Sequence, residues 1–422
     1  MGIILMQENG RFMQTSTCTS DNKPARISLP EDLRNFHKHL PLAGDPPNAL
    51  LSLPDDLLIY LIAAIRNTPR SPPDLSVEEW HNFFDLLRPH WIVPLLAFHL
   101  RTWTEEFRPP QKIMEYLDGI FLAASARNLL VGRQIQSITT ALEEADIPVI
   151  LMKGHALART VYPDPALRQS SDIDLLVARA DMLRAEAVMN NLGYTCDSHT
   201  FHIALHEHPH QVFHPRGNGL HVELHWDVDG NYKLFEENWI TQAFENKIPV
   251  RSPELCCYTF DPVHQLQFLA CHNIFQHHSL RLDWVYDAAR LIEQIRSPHD
   301  WEMIRTVSAP NHIRIPLELA LVSARLWSGF DIPAPYDDFA TWPAASEREH
   351  RLWRHAQVRH RNLMSDQYLI LQSIPGTAEK LKYCFRFLLP PAELLNAHRR
   401  SSSPADIPVA HLRRWLSIVR YG

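Results

Sequence analysis

The sequence predicts an α+β fold that is mostly helical, with a small mixed β-sheet flanked by N- and C-terminal helical regions. Three observations carry this. Apolar residues recur every three or four positions from about 50 to 145 and again from 262 to 329. Between 146 and 250 the period shortens to two, in runs bounded by Pro and Gly. The chain holds only 13 glycines against 32 prolines, which disfavours a fold of tight hairpins and suits punctuated helices.

Residues 1–48 are polar and punctuated and are expected to be a largely disordered leader with one short helix. The N-terminal helical region, 49–145, opens with DDLLIYLIAAIRN. Ser76, followed by Glu78 and Glu79, is a cap with an acidic first turn. A long helix is expected over about 111–145. The core, 146–255, begins with the buried strand IPVILMKG, and HALARTVY follows as a short helix stopped by Pro163 and Pro165. DIDLLV is a second strand. RADMLRAEAVMNNLG is a helix with Gly193 placed to end it. FHIALH and LHVELHW alternate as strands. The C-terminal region, 256–422, returns to the helical period through VHQLQFLACHNIF, LDWVYDAARLIEQI and IPLELALVSARLW, and no chemistry is apparent beyond it.

The bulk composition excludes several classes. With 45% hydrophobic and 21% charged residues the 422-residue chain is globular. A net charge of -7 gives no footprint for duplex DNA and argues mildly against RNA. Six cysteines without a C-x-x-C pair fit a reducing compartment rather than a zinc ribbon or disulfide framework. MGIILM is too short for a signal segment, and no apolar run approaches the ~18 residues of a membrane span. The expected location is the cytoplasm, with no membrane partner.

QSSDIDLLV places two aspartates at the mouth of a buried strand. Alternation puts Asp172 and Asp174 on one face and Ile173, Leu175 and Val177 on the other. In HVELHW, His221, Glu223 and His225 share a face, with Val222, Leu224 and Trp226 behind. If the two strands are neighbours, three carboxylates converge. Such a cluster calls for a hard divalent cation, commonly Mg²⁺ bound jointly with substrate phosphates, and two ions would clamp an in-line phosphoryl displacement.

The order of these elements resembles the nucleotidyltransferase fold of the DNA polymerase β superfamily, and more closely a bacterial family of uncharacterised nucleotidyltransferases. The resemblance rests on VILMKGHALARTVYPDPALRQSSDIDLLV, LGY, GLHVELHW and LRLDWVYDAARLI, and spans about residues 85–300. It implies that Asp172, Asp174 and Glu223 are catalytic and hold Mg²⁺, with two ions expected in that fold and Glu223 helping to deprotonate the attacking hydroxyl. It implies that Gly154 belongs to the phosphate-gripping turn. Where the superfamily has Gly-Ser or Gly-Gly, this chain has Lys153-Gly154-His155, so a serine hydroxyl is missing and Lys153 is the expected phosphate contact. Ser171 joins Lys153, Gly154 and Arg168 in the expected nucleotide-binding set. Arg168 either grips the triphosphate or pairs with the acidic cluster.

HEHPH at 206–210 matches H-E-x-x-H, but that motif needs a helix, and Pro209 together with the preceding alternation argues against one. His225 either orients a carboxylate or is a packed histidine. Asp283 and Asp287 lie one helical turn apart, with intrahelical pairing as the default, while Arg281 or Asp287 are candidates for meeting the base or the acceptor. The expected function is Mg²⁺-dependent transfer of a nucleoside monophosphate from an NTP to a hydroxyl on a small molecule, peptide, protein or RNA end. The alternatives are an inactive nucleotide-binding or scaffolding protein and a zinc hydrolase using HEHPH.

Overall fold

The computed structural model describes residues 29–196, 210–228, 234–236, 238–252, 255–277, 279–308 and 310–357. It also describes paired strands at 4–6 and 12–14, and residues 368, 371, 374 and 376–388. The expected FHIALH strand and most of HEHPH lie outside the described residues. The fold is mostly helical with a mixed seven-stranded sheet.

The strands β1 (Ile4–Met6) and β2 (Phe12–Gln14) form a two-stranded sheet. Helices α1 (Leu29–His37), α2 (Asp55–Arg66), α3 (Val77–Leu86) and α4 (Val93–Thr102) then lead to α5 (Gln111–Glu144). The cap at Ser76 is a full capping box: its hydroxyl accepts from the Glu79 N–H at 3.3 Å, and the Glu79 carboxylate accepts from the Ser76 N–H at 2.8 Å. The 34-residue α5 joins two cores. Ile113 and Leu117 pack among the helices, whereas Val131, Ile135, Ile138 and Leu142 cover one face of the sheet.

The sheet runs β5-β6-β7-β4-β3-β9-β8. Its strands are β3 (Val149–Leu151), β4 (Asp172–Val177), β5 (Tyr194–Thr195), β6 (His210–Pro215), β7 (His221–His225), β8 (Ile248–Ser252) and β9 (Leu255–Thr259). Between them stand α6 (Lys153–Thr160), α7 (Met182–Asn191) and α8 (Trp239–Glu245). Gly193, at φ 86, ends the turn after α7 as expected. Ile173, Leu175, Val177, Val222, Leu224 and Trp226 all enter the core beneath α5 and α7, as the alternation required. The sheet reaches Thr259, beyond the expected boundary at 255. In β9 polarity runs against burial: Tyr258 is exposed and Thr259 buried, so the strand carried no amphipathic signal.

Helices α9 (Pro262–Cys271), α10 (Leu282–Gln294), α11 (Pro298–Val307), α12 (Arg314–Ser328) and α13 (Glu347–Ala356) follow, with a π-helical turn at His272–Gln276 directly after α9. A further helix, α14 (Thr377–Leu388), lies in the C-terminal stretch. The two helical regions form one body, since Leu33, Leu61, Trp80 and Leu96 share a core with Leu266, Val285, Leu321 and Trp353.

This body includes part of the stretch expected to be a leader. From residue 29 onward the chain is folded, with Leu33, Phe36, Leu40 and Leu42 buried. The Ala43 N–H donates to the Leu280 carbonyl, and the Leu280 N–H to the Pro41 carbonyl, both at 2.8 Å. Trp327 Nε1 donates to His37 Nε2 at 3.0 Å. Tertiary burial of four spaced apolar side chains outweighs the polar composition around them. No helix among the described residues is long and apolar enough to cross a membrane.

Candidate active site

Strand β7 lies parallel to β4 with Asp172 opposite His221 and Asp174 opposite Glu223. The carboxylates of Asp172, Asp174 and Glu223 therefore share one face near the strand mouths. They differ in surroundings. Asp174 is buried, and its Oδ1 accepts from Lys153 Nζ at 2.8 Å and from His225 Nε2 at 3.1 Å. Asp172 is half-buried and accepts from Ser170 Oγ at 2.7 Å. Glu223 lies 3.3 Å from His225 Nε2 through Oε2. Ligand atoms of Asp172, His221 and Glu223 fall within 4.8 Å of one another. The trio closest to a cation site on this side thus contains His221, with Asp174 engaged by its own cation.

The electrostatics follow from crowding. Burial raises Asp172 above the usual carboxylate range, and the charge of Asp174 raises it further. Burial would also raise Asp174, but the Lys153 ammonium and the His225 hydrogen bond hold it well below that range. Burial opposes ionisation of Glu223 too, and the hydrogen bond from His225 overrides it, leaving the carboxyl lowered. For Lys153, burial works against the charge, yet Asp174 and Glu223 prevail and raise its pKa. For His225 burial is likewise outweighed by hydrogen bonds to Asp174 and Glu223, so its pKa is raised.

The raised His225 pKa couples stability to pH. A histidine raised on folding stabilises below its unfolded value near 6.5, and the contribution is lost as pH rises through the higher folded value. Urea midpoints should therefore decline on the alkaline side of 6.5, and His225→Gln should flatten that limb of the profile. An unchanged slope in the variant would assign the decline to another group.

Lys153 opens α6 at φ 52, a region uncommon for residues with a Cβ. Its ammonium is directed to Asp174 and lies 5.9 Å from the Phe268 ring centroid. Gly154 is needed for close packing inside the protein: a Cβ there would stand 2.9 Å from Ser170 Cβ and 3.0 Å from Ser170 Oγ. A serine hydroxyl thus stands beside Gly154 after all, supplied from the loop before β4. His155 does not replace it. Its ring is buried with neither nitrogen hydrogen-bonded, and burial, then the Arg159 and Arg168 charges, push it down to about 3.

The other expected residues have partners of their own. Arg168 is buried and bound to α10, with Nε 2.9 Å from both Asp287 oxygens and NH1 3.1 Å from Asp283 Oδ2. Tyr162 donates to the same Asp287 at 2.7 Å. Asp283 and Asp287 therefore pair across elements with Arg168, Asp287 is fully buried, and the Arg168 guanidinium would stand 3.3 Å from a Cβ at Gly154. Arg281 pairs with Asp283 and lies between Trp91 and Trp284, 5.0 and 4.3 Å from their ring centroids. Ser171 is exposed, and the serine that touches the aspartate is Ser170. His210 begins β6, so the helical face that HEHPH would need is not formed at that end.

Two histidines of the π-helical turn region were not anticipated. His272 and His277 bring their Nε2 atoms to 3.0 Å, and the His277 ring lies 4.7 Å from that of Trp284. Burial, then the Lys153 charge, lowers both. Their five-residue spacing fits a π-turn and shows no face on an α-helical wheel.

A comparison with curated proteins returns no match to the chain. A family model, described as an uncharacterised nucleotidyltransferase, matches residues 76–329, which span α3 to α12 and hold both aspartates, Lys153, Glu223 and His225. With well over half its length so matched, the chain belongs to this uncharacterised nucleotidyltransferase family.

Proposed function

We propose that the face formed by β4 and β7 transfers a nucleoside monophosphate from an NTP to a hydroxyl acceptor, releasing pyrophosphate. The observation that carries this is the parallel register of Asp172 and Asp174 with His221 and Glu223, which crowds three carboxylates against one lysine. The excess negative charge suits a divalent cation, and the donor set fits Mg²⁺ through oxygen atoms of Asp172 and Glu223. When bound, that ion supplies charge neutralisation to the triphosphate. Asp174 orients Lys153, whose ammonium donates to a phosphate oxygen, and Ser170 beside Gly154 provides a hydroxyl for another. Glu223, held ionised by His225, accepts the acceptor's proton as its oxygen attacks the α-phosphorus. His225 positions both carboxylates.

The test uses NTP labelled at either the α- or the γ-phosphorus, with Mg²⁺ and a cell extract. The α-label should appear in an acceptor and the γ-label in pyrophosphate. Transfer of the γ-label would make the protein a kinase instead, and no transfer of either would favour the inactive reading. One observation supports that second reading, a nucleotide-binding protein without turnover: Lys153 occupies the Asp174 oxygen that a metal would otherwise take.

Lys153→Ala separates binding roles. Losing a charge-assisted hydrogen bond of roughly 1.5–3 kcal/mol should weaken NTP affinity about ten- to a hundredfold while nucleoside affinity stays level. Calorimetry with both ligands measures this. Equal NTP affinity in variant and wild type would confine Lys153 to neutralising Asp174.

A further inference from the structure

The acidic face continues into a second group of ligand atoms, in which Glu223 and His225 of the proposed transfer site are joined by His210. Strand β6 runs antiparallel to β7 with His210 directly opposite His225. Their ring centroids are 4.8 Å apart. Glu223 Oε2 lies 3.9 Å from His210 Nε2 and 3.3 Å from His225 Nε2. Ligand atoms of His210, Glu223 and His225 all fall within 4.8 Å of one another. His210 Nδ1 is buried and has no hydrogen-bond partner. The ring atom that faces Glu223 is the other nitrogen, Nε2, at a distance too long for a hydrogen bond and open to an ion between them.

We infer that His210, Glu223 and His225 form a site for a divalent transition-metal ion, distinct from the Mg²⁺ expected at Asp172, the ion displacing the Nε2 proton that His225 otherwise donates to Asp174 and Glu223. Two imidazoles and one carboxylate favour a first-row transition ion, because nitrogen ligands suit Zn²⁺, Co²⁺ or Fe²⁺ and are poor partners for Mg²⁺. Ligand atoms about 2.1 Å from one ion stand roughly 3–3.5 Å apart, so closing this trio needs side-chain shifts on the order of 1 Å. Antiparallel pairing of β6 and β7 fixes the backbones and leaves only rotamers to adjust. Three protein ligands leave open positions on the ion for water or a substrate oxygen. Both histidine contacts use Oε2 of Glu223, so Oε1 remains for the Asp172 and His221 side. The two metal sites are thereby joined through one carboxylate.

Metal binding at this trio is read without any turnover, so its failure and a failure of nucleotidyl transfer are distinguishable. The probe is Co²⁺ added to the metal-free full chain, followed by visible ligand-field absorption in the presence of excess Mg²⁺. Wild type should bind one Co²⁺ per chain, and Mg²⁺ should not displace it. His210→Asn should weaken Co²⁺ by more than the ten- to hundredfold that outer-shell changes produce. His210→Cys should restore binding and add thiolate charge-transfer absorption, which controls for folding of the strand. Asp172→Asn should leave the spectrum in place. Absence of ligand-field bands in wild type would overturn the assignment, as would displacement by Mg²⁺ or equal Co²⁺ affinity in His210→Asn. Loss in Asp172→Asn instead would place the ion on the Asp172, His221 and Glu223 trio.

Discussion

Arg168→Ala should destabilise the fold by roughly 3–5 kcal/mol, the range for removing one partner of a buried ion pair. Arg168 neutralises two carboxylates at once: Asp287, which it contacts through Nε and NH2, and Asp283, through NH1. All three side chains are buried. Removing the guanidinium leaves Asp283 with Arg281 as counter-ion and Asp287 with only the Tyr162 hydroxyl, and burial already raises Asp287 despite the arginine. Arg168→Lys should recover little, because a point charge cannot reproduce a fork that meets both carboxylates. Arg168→Ala combined with Asp287→Asn should recover part of the loss, since one stranded charge goes with its partner. Urea unfolding of the four proteins measures this. If Arg168→Ala kept full stability and lost NTP affinity instead, the arginine would be a phosphate ligand and its pairing in the structure incidental.

The same residue shows where sequence reading stops. Local period identified β4 and β7 because each has one face in the core: Ile173, Leu175, Val222 and Leu224 alternate with polar residues, and a single register satisfies both strands. The acidic face followed directly. The partner of Arg168 could not, because Asp283 and Asp287 lie more than a hundred residues away and their spacing on α10 also suits an ordinary helix pair. Lys153 was legible as the residue closing a buried strand, but its ion pair with Asp174 depends on the turn into α6. Gly154 was read as room for a phosphate, whereas its open side is filled by Ser170 from a loop on another element. Residues 29–48 misled through composition, since a few buried leucines and one phenylalanine set their fate and the average did not.

Asp172→Asn should lower transfer at least about a thousandfold while leaving the protein as stable as wild type or more so. Asp172 is the half-buried carboxylate whose ligand atom lies within 4.8 Å of those of His221 and Glu223, where the proposed cation would bind. Losing charge stabilisation of about 4 kcal/mol corresponds to a thousandfold in rate. Its raised pKa shows that ionised Asp172 is disfavoured by burial and by Asp174, so the neutral amide relieves repulsion and keeps an acceptor for Ser170. A gain in stability on removing a functional group is the usual trade at an active site. Asp174→Asn should differ in kind. It too should lose transfer, but it leaves the Lys153 ammonium, 2.8 Å away and buried, without its principal counter-charge, and His225 loses one of two acceptors. Stability should fall, and Lys153→Met added to Asp174→Asn should restore part of it, because an apolar chain of similar length removes the stranded charge. Paired activity and urea measurements on the three variants decide the matter: if Asp172→Asn and Asp174→Asn lost stability equally, the two aspartates would have interchangeable structural roles, and the division into a cation-holding and a lysine-orienting carboxylate would be wrong.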